Sequence, residues 1–208
     1  MEDRGFQLNL GKIEQLFSLD FKATMALRSN GSRIFARTTE TGKLGTSHPF
    51  ASIGSFFANL SFEENQKNGS ALVYWDPTRK RVVIPSIKTT EPGNSSAPTN
   101  LPAGAGSIIL TWLGALAAQE GADFEVYHIQ NPQILRILAR GILNPEKTVL
   151  EYCQNVDDED SEGDEILETV HGLKGEFQYN QHPDATFTNV RGPAHPHLLD
   201  SIHPLSIS

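Results

Sequence analysis

The chain of 208 residues has only one cysteine, Cys153, so no disulfide can form within it and a small cystine-stapled scaffold is excluded. Positive charge is not in excess either. Seventeen Lys and Arg stand against 25 Asp and Glu, a formal net charge of −8, which excludes a globally basic nucleic-acid binder. Long apolar runs are missing as well: the best candidate, Ala105 to Ala118, is shorter than the ~18–20 residues of a membrane span and is interrupted by Gly114. The opening MEDRGFQLNLGKIEQLF lacks the basic-then-apolar layout of a secretory signal. Gly-x-Ser-x-Gly does not occur, which removes the usual nucleophile elbow. Together these absences lead us to expect a cytoplasmic protein with no membrane contact; nucleic acid is not an expected partner, although a neutral body with a basic hairpin tip leaves a phosphate-bearing ligand open. Hydrophobic residues make up 38% and charged residues 20%, enough for one sizeable core, so a single domain over 1–208 is expected.

What acidity there is lies mostly in one place. Asp157, Asp158, Glu159, Asp160, Glu162, Asp164, Glu165 and Glu168 fall in one short run, and subtracting these eight from 25 leaves 17 acidic residues against 17 basic ones. The rest of the chain is therefore formally neutral. Like charges in a block repel and solvate, so 155–168 is expected to be an acidic loop and a place for a basic protein partner. Gly163 follows alternating carboxylates, but no Glu stands six residues after it, so the Ca²⁺ loop pattern fails.

Periodicity supplies the elements. Asn9 is placed to cap a helix over Lys12 to Leu19, and Phe21 to Leu27 alternates like a half-buried strand before Ser29-Asn30-Gly31-Ser32, a turn signal. Arg33 to Thr38 would return as its partner, 40–49 as a loop and Pro49 to Leu60 as a helix with Phe50, Ile53, Phe57 and Leu60 on one side. Ser70 to Trp75 and Arg81 to Ile87 form a hairpin around Pro77, and 89–102 is a loop rich in Pro and Ser. Ile109, Trp112, Leu113, Leu116 and Ala117 then recur at helical spacing up to Gly121. Asp123 to Ile129 is a strand, Asn131 caps a helix with Pro132 in its first turn, and Thr148 to Cys153 is a strand. Glu176 to Asn180 and Thr186 to Val190 would add two more, and 191–208 a flexible tail. The middle thus runs strand, strand, helix, strand, helix, strand. The expected class is α/β or α+β, a mixed sheet with helices covering it.

The turn Leu101-Pro102-Ala103-Gly104-Ala105-Gly106 before a helix presents backbone amides and the positive end of a helix dipole, which suits phosphate. With Gly104 and Gly106 in its two small positions, and Asn131 opening NPQILRILARGI, the segment 101–143 resembles the acetyl-CoA-binding half of the GNAT acetyltransferases. That family carries an Arg/Gln-x-x-Gly-x-Gly/Ala turn, a helix, a strand and an Asn-containing start of a second helix. The resemblance implies acetyl-CoA as cofactor, with the amides of Pro102, Ala103, Gly104, Ala105, Gly106 and Ser107 on the pyrophosphate and Asn131 on the pantetheine arm. The acceptor would be a small-molecule or protein amine, acylated directly. Leu101 replaces the Arg/Gln, and Leu138 or its neighbours stand where many members have a Tyr that protonates the thiolate, so no catalytic residue is assigned. The same order of elements is similar to a cytidine-deaminase core without its zinc ligands, which implies a non-catalytic α/β domain working through protein contacts.

No metal is expected. His182, His195, His197 and His203, with Asp184 and Asp200, have suitable ligand types but no motif spacing. His128, in phase with Phe124 and Val126, is expected half-buried, and Cys153 in the core. Glu125 and Tyr127 share the opposite face of their strand, where they could border a cleft. Arg79, Lys80 and Arg81 form the one basic cluster, expected at a solvated hairpin tip.

Overall fold

The computed structural model describes residues 11–26, 32–45, 55–89, 100–158, 161–172 and 182–199. Alternation of apolar and polar side chains makes most of it strand. β1 (Lys22–Ala26), β2 (Arg33–Lys43), β3 (Phe56–Glu64), β4 (Lys67–Asp76) and β5 (Arg81–Lys88) follow one another as an antiparallel meander. α1 (Ala105–Gln119) crosses over to β6 (Asp123–Ile129), which lies parallel to β5. α2 (Pro132–Ile137) runs into a wider helical turn, Leu138–Ile142, and leads to β7 (Val149–Asp158), β8 (Ser161–His171) and β9 (Phe187–Pro193). Among the described residues the nine strands form one mixed sheet in the order β1-β2-β3-β4-β5-β6-β9-β7-β8, an α+β architecture.

The core lies where α1 meets β5 and β6 and continues over β2, β3 and β4. α1 is apolar nearly all round, with Ile109, Leu110, Leu113, Ala115 and Ala117 fully buried, as expected of a helix enclosed by its neighbours. It ends as expected, at Gly121 with φ +60°. Gly114 lets the Ile142 side chain pack directly on the helix, because a Cβ there would sit 2.4 Å from Ile142 Cγ2.

Several expectations are corrected. The helix over Lys12 to Leu19 is only a 3-10 turn, Ile13–Phe17, closed by the Gln15 side chain accepting from the Lys12 N–H at 2.8 Å; Asn9 lies outside the described residues, as does most of the Ser29-Asn30-Gly31-Ser32 turn. The loop over 40–49 begins as strand, since β2 runs to Lys43. The helix over Pro49 to Leu60 is overturned from Phe56 onward: Ala58, Leu60 and Phe62 are buried while the residues between them are half-exposed, the period of a strand. The acidic loop 155–168 is instead largely the hairpin of β7 and β8, paired from Val149↔His171 to Asp158↔Ser161. Within the tail 191–208, Arg191 to Pro193 complete β9 and Pro196–Leu198 form a 3-10 turn pinned by the His195 N–H on the Ile142 carbonyl at 2.7 Å. Residues 90–99 of the expected loop, the strand over Glu176 to Asn180, and His203 lie outside the described residues.

Candidate functional site at the opening between β5 and β6

Parallel pairing of β5 and β6 runs from Arg81↔Asp123 to Ile84↔Val126 and stops, although β5 continues to Lys88 and β6 to Ile129. Both strands are bulged at that level. On β5, Ile84 and Pro85 together oppose Val73 of β4, because the register slips between Leu72↔Ser86 and Tyr74↔Val83. Pro85 has no N–H to give a neighbour, which fits the end of the pairing. On β6, Tyr127 and His128 together oppose Asn189 of β9, between Val126↔Val190 and Ile129↔Thr188. A bulge bends its strand and adds twist, so the two strands diverge toward their carboxyl ends.

The chain direction brings both helix starts to that open end. α1 begins after β5 and returns to the start of β6, and α2 begins directly after β6. The turn before α1 is held by the Leu101 N–H donating to the Thr89 carbonyl at 3.0 Å and by Leu101, buried against Gly69. Gly104 takes φ +89° at the helix N-cap, a left-handed conformation that glycine reaches without strain. Pro102 has no N–H, and the Ala105 N–H donates to the Pro102 carbonyl at 3.0 Å. Of the positions expected to hold phosphate, those two are therefore the weakest donors, while Gly106 and Ser107 lie in the first turn, where helix amides point beyond the N-terminus. Asn131 caps α2, its Oδ1 accepting from the Gln133 N–H at 2.9 Å, so a ligand contact would fall to its amide nitrogen.

Beside this turn, Ser107 and Thr111 of α1, Gln133, Arg136 and Arg140 of the second helical segment, and His197 line a groove of about 580 Å³. The arginines, four residues apart, stand on one helix face. Neither was singled out from sequence, although their i, i+4 spacing was visible there. A larger concavity of about 790 Å³ lies at the other end of the sheet, beside Phe21, Phe35 and the exposed Arg37–Glu63 pair.

On the face opposite α1, polar groups converge. Arg81 leaves the expected basic hairpin tip: its Nε and Nη2 donate to Glu125 Oε1 and Oε2, each at 2.7 Å. Glu125 and Tyr127 share one face as expected, and beyond that expectation Tyr127 donates its hydroxyl to Glu125 Oε2 at 2.8 Å. Burial, then the Glu125 charge and that hydrogen bond, push the Tyr127 phenol up to about 12. Asp123 is also raised, by burial first and by Glu125 second. Arg191 Nη2 lies 3.0 Å from Glu151 Oε1. Cys153 is fully buried, and burial together with the charges of Glu151 and Asp164 pushes its thiol up to about 11, the opposite of an activated nucleophile.

His128 is corrected by the bulge. The extra residue takes it out of phase with Phe124 and Val126, and its side chain is 56% exposed. It holds φ +54°, its N–H donates to Asn189 Oδ1 at 3.0 Å, its ring meets Phe187 edge-on at 4.7 Å, and Nε2 lies 3.4 Å from Asp164 Oδ2. Asp164, Asn189 and Arg191 were missed as site residues; for the last two the signal was their alternation with the buried Val190.

Among the described residues no three His, Cys, Asp or Glu side chains gather as a metal site, and no helix is long and apolar enough to cross a membrane. Comparison with protein-family models, curated proteins and solved structures finds no match.

Proposed function

We propose that the chain is a divergent acyl-CoA-binding, N-acetyltransferase-like protein. The observation that carries the reading is the end of β5–β6 pairing at Ile84↔Val126, toward the end of β5 from which the turn that opens α1 follows. A thioester arm needs backbone groups left unpaired by a neighbouring strand, and two diverging parallel strands offer them. The pyrophosphate would take the Gly106 and Ser107 amides. The groove beyond Ser107, with Arg136 and Arg140, would take the phosphorylated nucleotide end, and the helices would cover the sheet around the ligand.

Thermal unfolding with acetyl-CoA tests this. Ligand at 100 times its Kd stabilises by about 2.7 kcal/mol, a shift of several degrees. Gly106→Asp sharpens the test: its Cβ would meet only Thr89 atoms, both at 3.6 Å, and a carboxylate in a first helical turn favours the helix while repelling phosphate. The expected outcome is a clear shift for the wild type and a much smaller one for the variant. Absence of a shift at millimolar acetyl-CoA sinks the reading.

One observation favours the second reading, a non-catalytic α/β interaction domain with a deaminase-like core. The edge strand β8 carries Asp164, Glu165 and Glu168 and exposes Ile166 at 54%, a surface suited to a basic protein partner.

A further inference from the structure

The acceptor side of the opening carries its own machinery. Two residues past the last β5–β6 pair, on the face opposite α1, the chain places an exposed imidazole on a bulge in a backbone conformation that few non-glycine residues adopt. That conformation is fixed from two sides, by Asn189 Oδ1 on the His128 N–H and by Phe187 against the ring. Bulges recur next to active sites because they re-aim a side chain. Here the bulge turns His128 away from the core and toward Asp164 on β8. With Nε2–H directed at that carboxylate, Nδ1 is left as the proton acceptor. The sheet face that bears His128 holds five carboxylates, Asp76, Asp123, Glu125, Glu151 and Asp164, against two guanidiniums, Arg81 and Arg191. Its surplus of negative charge favours a cation.

We propose that His128 is the proton acceptor for a cationic amine substrate arriving on this face, with Asp164 as its positioning residue. The inference rests on the acyl-CoA reading above. The ammonium gives one proton to His128 Nδ1, and the freed lone pair attacks the thioester carbonyl carbon. The C–N bond forms and the C–S bond breaks; the sulfur leaves as thiolate and takes the second proton lost by the nitrogen. One amide, one thiol and one proton, passed from His128 to solvent, complete the balance.

The test measures thiol release from acetyl-CoA with spermidine and with a lysine-rich peptide as acceptors, for the wild type, His128→Asn, His128→Gly and Asp164→Asn. Asparagine and glycine both accept positive φ, so the bulge keeps its backbone. Both His128 variants should lose about 100-fold or more in kcat, with the Kd for acetyl-CoA within twofold of wild type. Added imidazole should restore part of the His128→Gly rate, which a purely structural role would not allow. Asp164→Asn should lower kcat by less than His128→Asn does and leave KM for acetyl-CoA unchanged. Wild-type kcat in His128→Asn, or acetyl-CoA binding with neither acceptor acetylated, would overturn the assignment while sparing the acyl-CoA reading. Failure of the wild type to bind acetyl-CoA would overturn both.

Discussion

Glu125 is 3% exposed, yet it carries a charge in the middle of a sheet, which is tolerable only because its two oxygens accept from Arg81 and Tyr127. A fork of two 2.7 Å bonds ties β5 to β6 within the paired stretch just before the strands diverge, so it holds the width of the opening. Removing one partner of such a pair costs more than the pair contributes, because the other charge is left buried. Arg81→Ala should therefore lose about 3–5 kcal/mol in urea unfolding, whereas Arg81→Met with Glu125→Leu should recover most of that loss. A loss below about 1 kcal/mol for Arg81→Ala would be the value of an exposed pair and would refute the burial argument.

Helix and strand rest on different kinds of support. α1 stays close to the turn Leu138–Ile142 through Gly114, and a methyl group there meets Ile142, itself buried. Alanine gains about 1 kcal/mol of helix propensity over glycine, but overpacking a buried contact costs about 1–3 kcal/mol, so Gly114→Ala should be destabilising on balance. Adding Ile142→Val should relieve part of that overpacking, a coupling that a double-mutant cycle on Tm or urea midpoints would register. The elements legible in the sequence were those whose burial pattern is unambiguous: α1 with its crowded apolar surface, the β4–β5 hairpin around Pro77, and β6. β3 was misread because Phe57 and Leu60, three apart, satisfy a helical spacing, while Ala58, Leu60 and Phe62 satisfy a strand's; the pairing with β2 and β4 decides between them. β8 had no readable face at all, since charged side chains dominate it and backbone pairing with β7 carries it. Of the candidate site, the glycine turn before α1, the Asn131 cap and the face shared by Glu125 and Tyr127 were legible. The bulge that re-aims His128 was not, because one extra residue in a strand leaves no mark on composition or on the local period.

At the scale of the whole molecule, two weak acids, the buried Cys153 and the half-buried Tyr127, set a limit on alkaline stability. Tyr127 is raised from 10.0 to about 12 and Cys153 from 9.0 to about 11, so between these values the folded chain keeps protons that the unfolded chain has released. The folded state is then the one binding more protons, and stability falls as pH rises, beginning near 9 and ending near 12. Thermal midpoints should decline over that window, and Cys153→Ala together with Tyr127→Phe should flatten the decline. A wild-type midpoint constant from about pH 8.5 to 11 would contradict the burial of both groups.

The strand order also dictates a sequence of assembly. β9 stands between β6 and β7, and among the described residues β7 pairs only with β8 and β9. As the chain leaves the ribosome, β1 to β6 can pair in the order they emerge, and β7 with β8 can close locally as a hairpin. That hairpin has nothing in the sheet to dock on until residues 187–193 arrive, and until then the edge of β6, with Phe124 and Val126 beside it, stays open to any other strand. β9, the last of the described strands, is the keystone, and the nascent protein is most vulnerable to mispairing just before its synthesis.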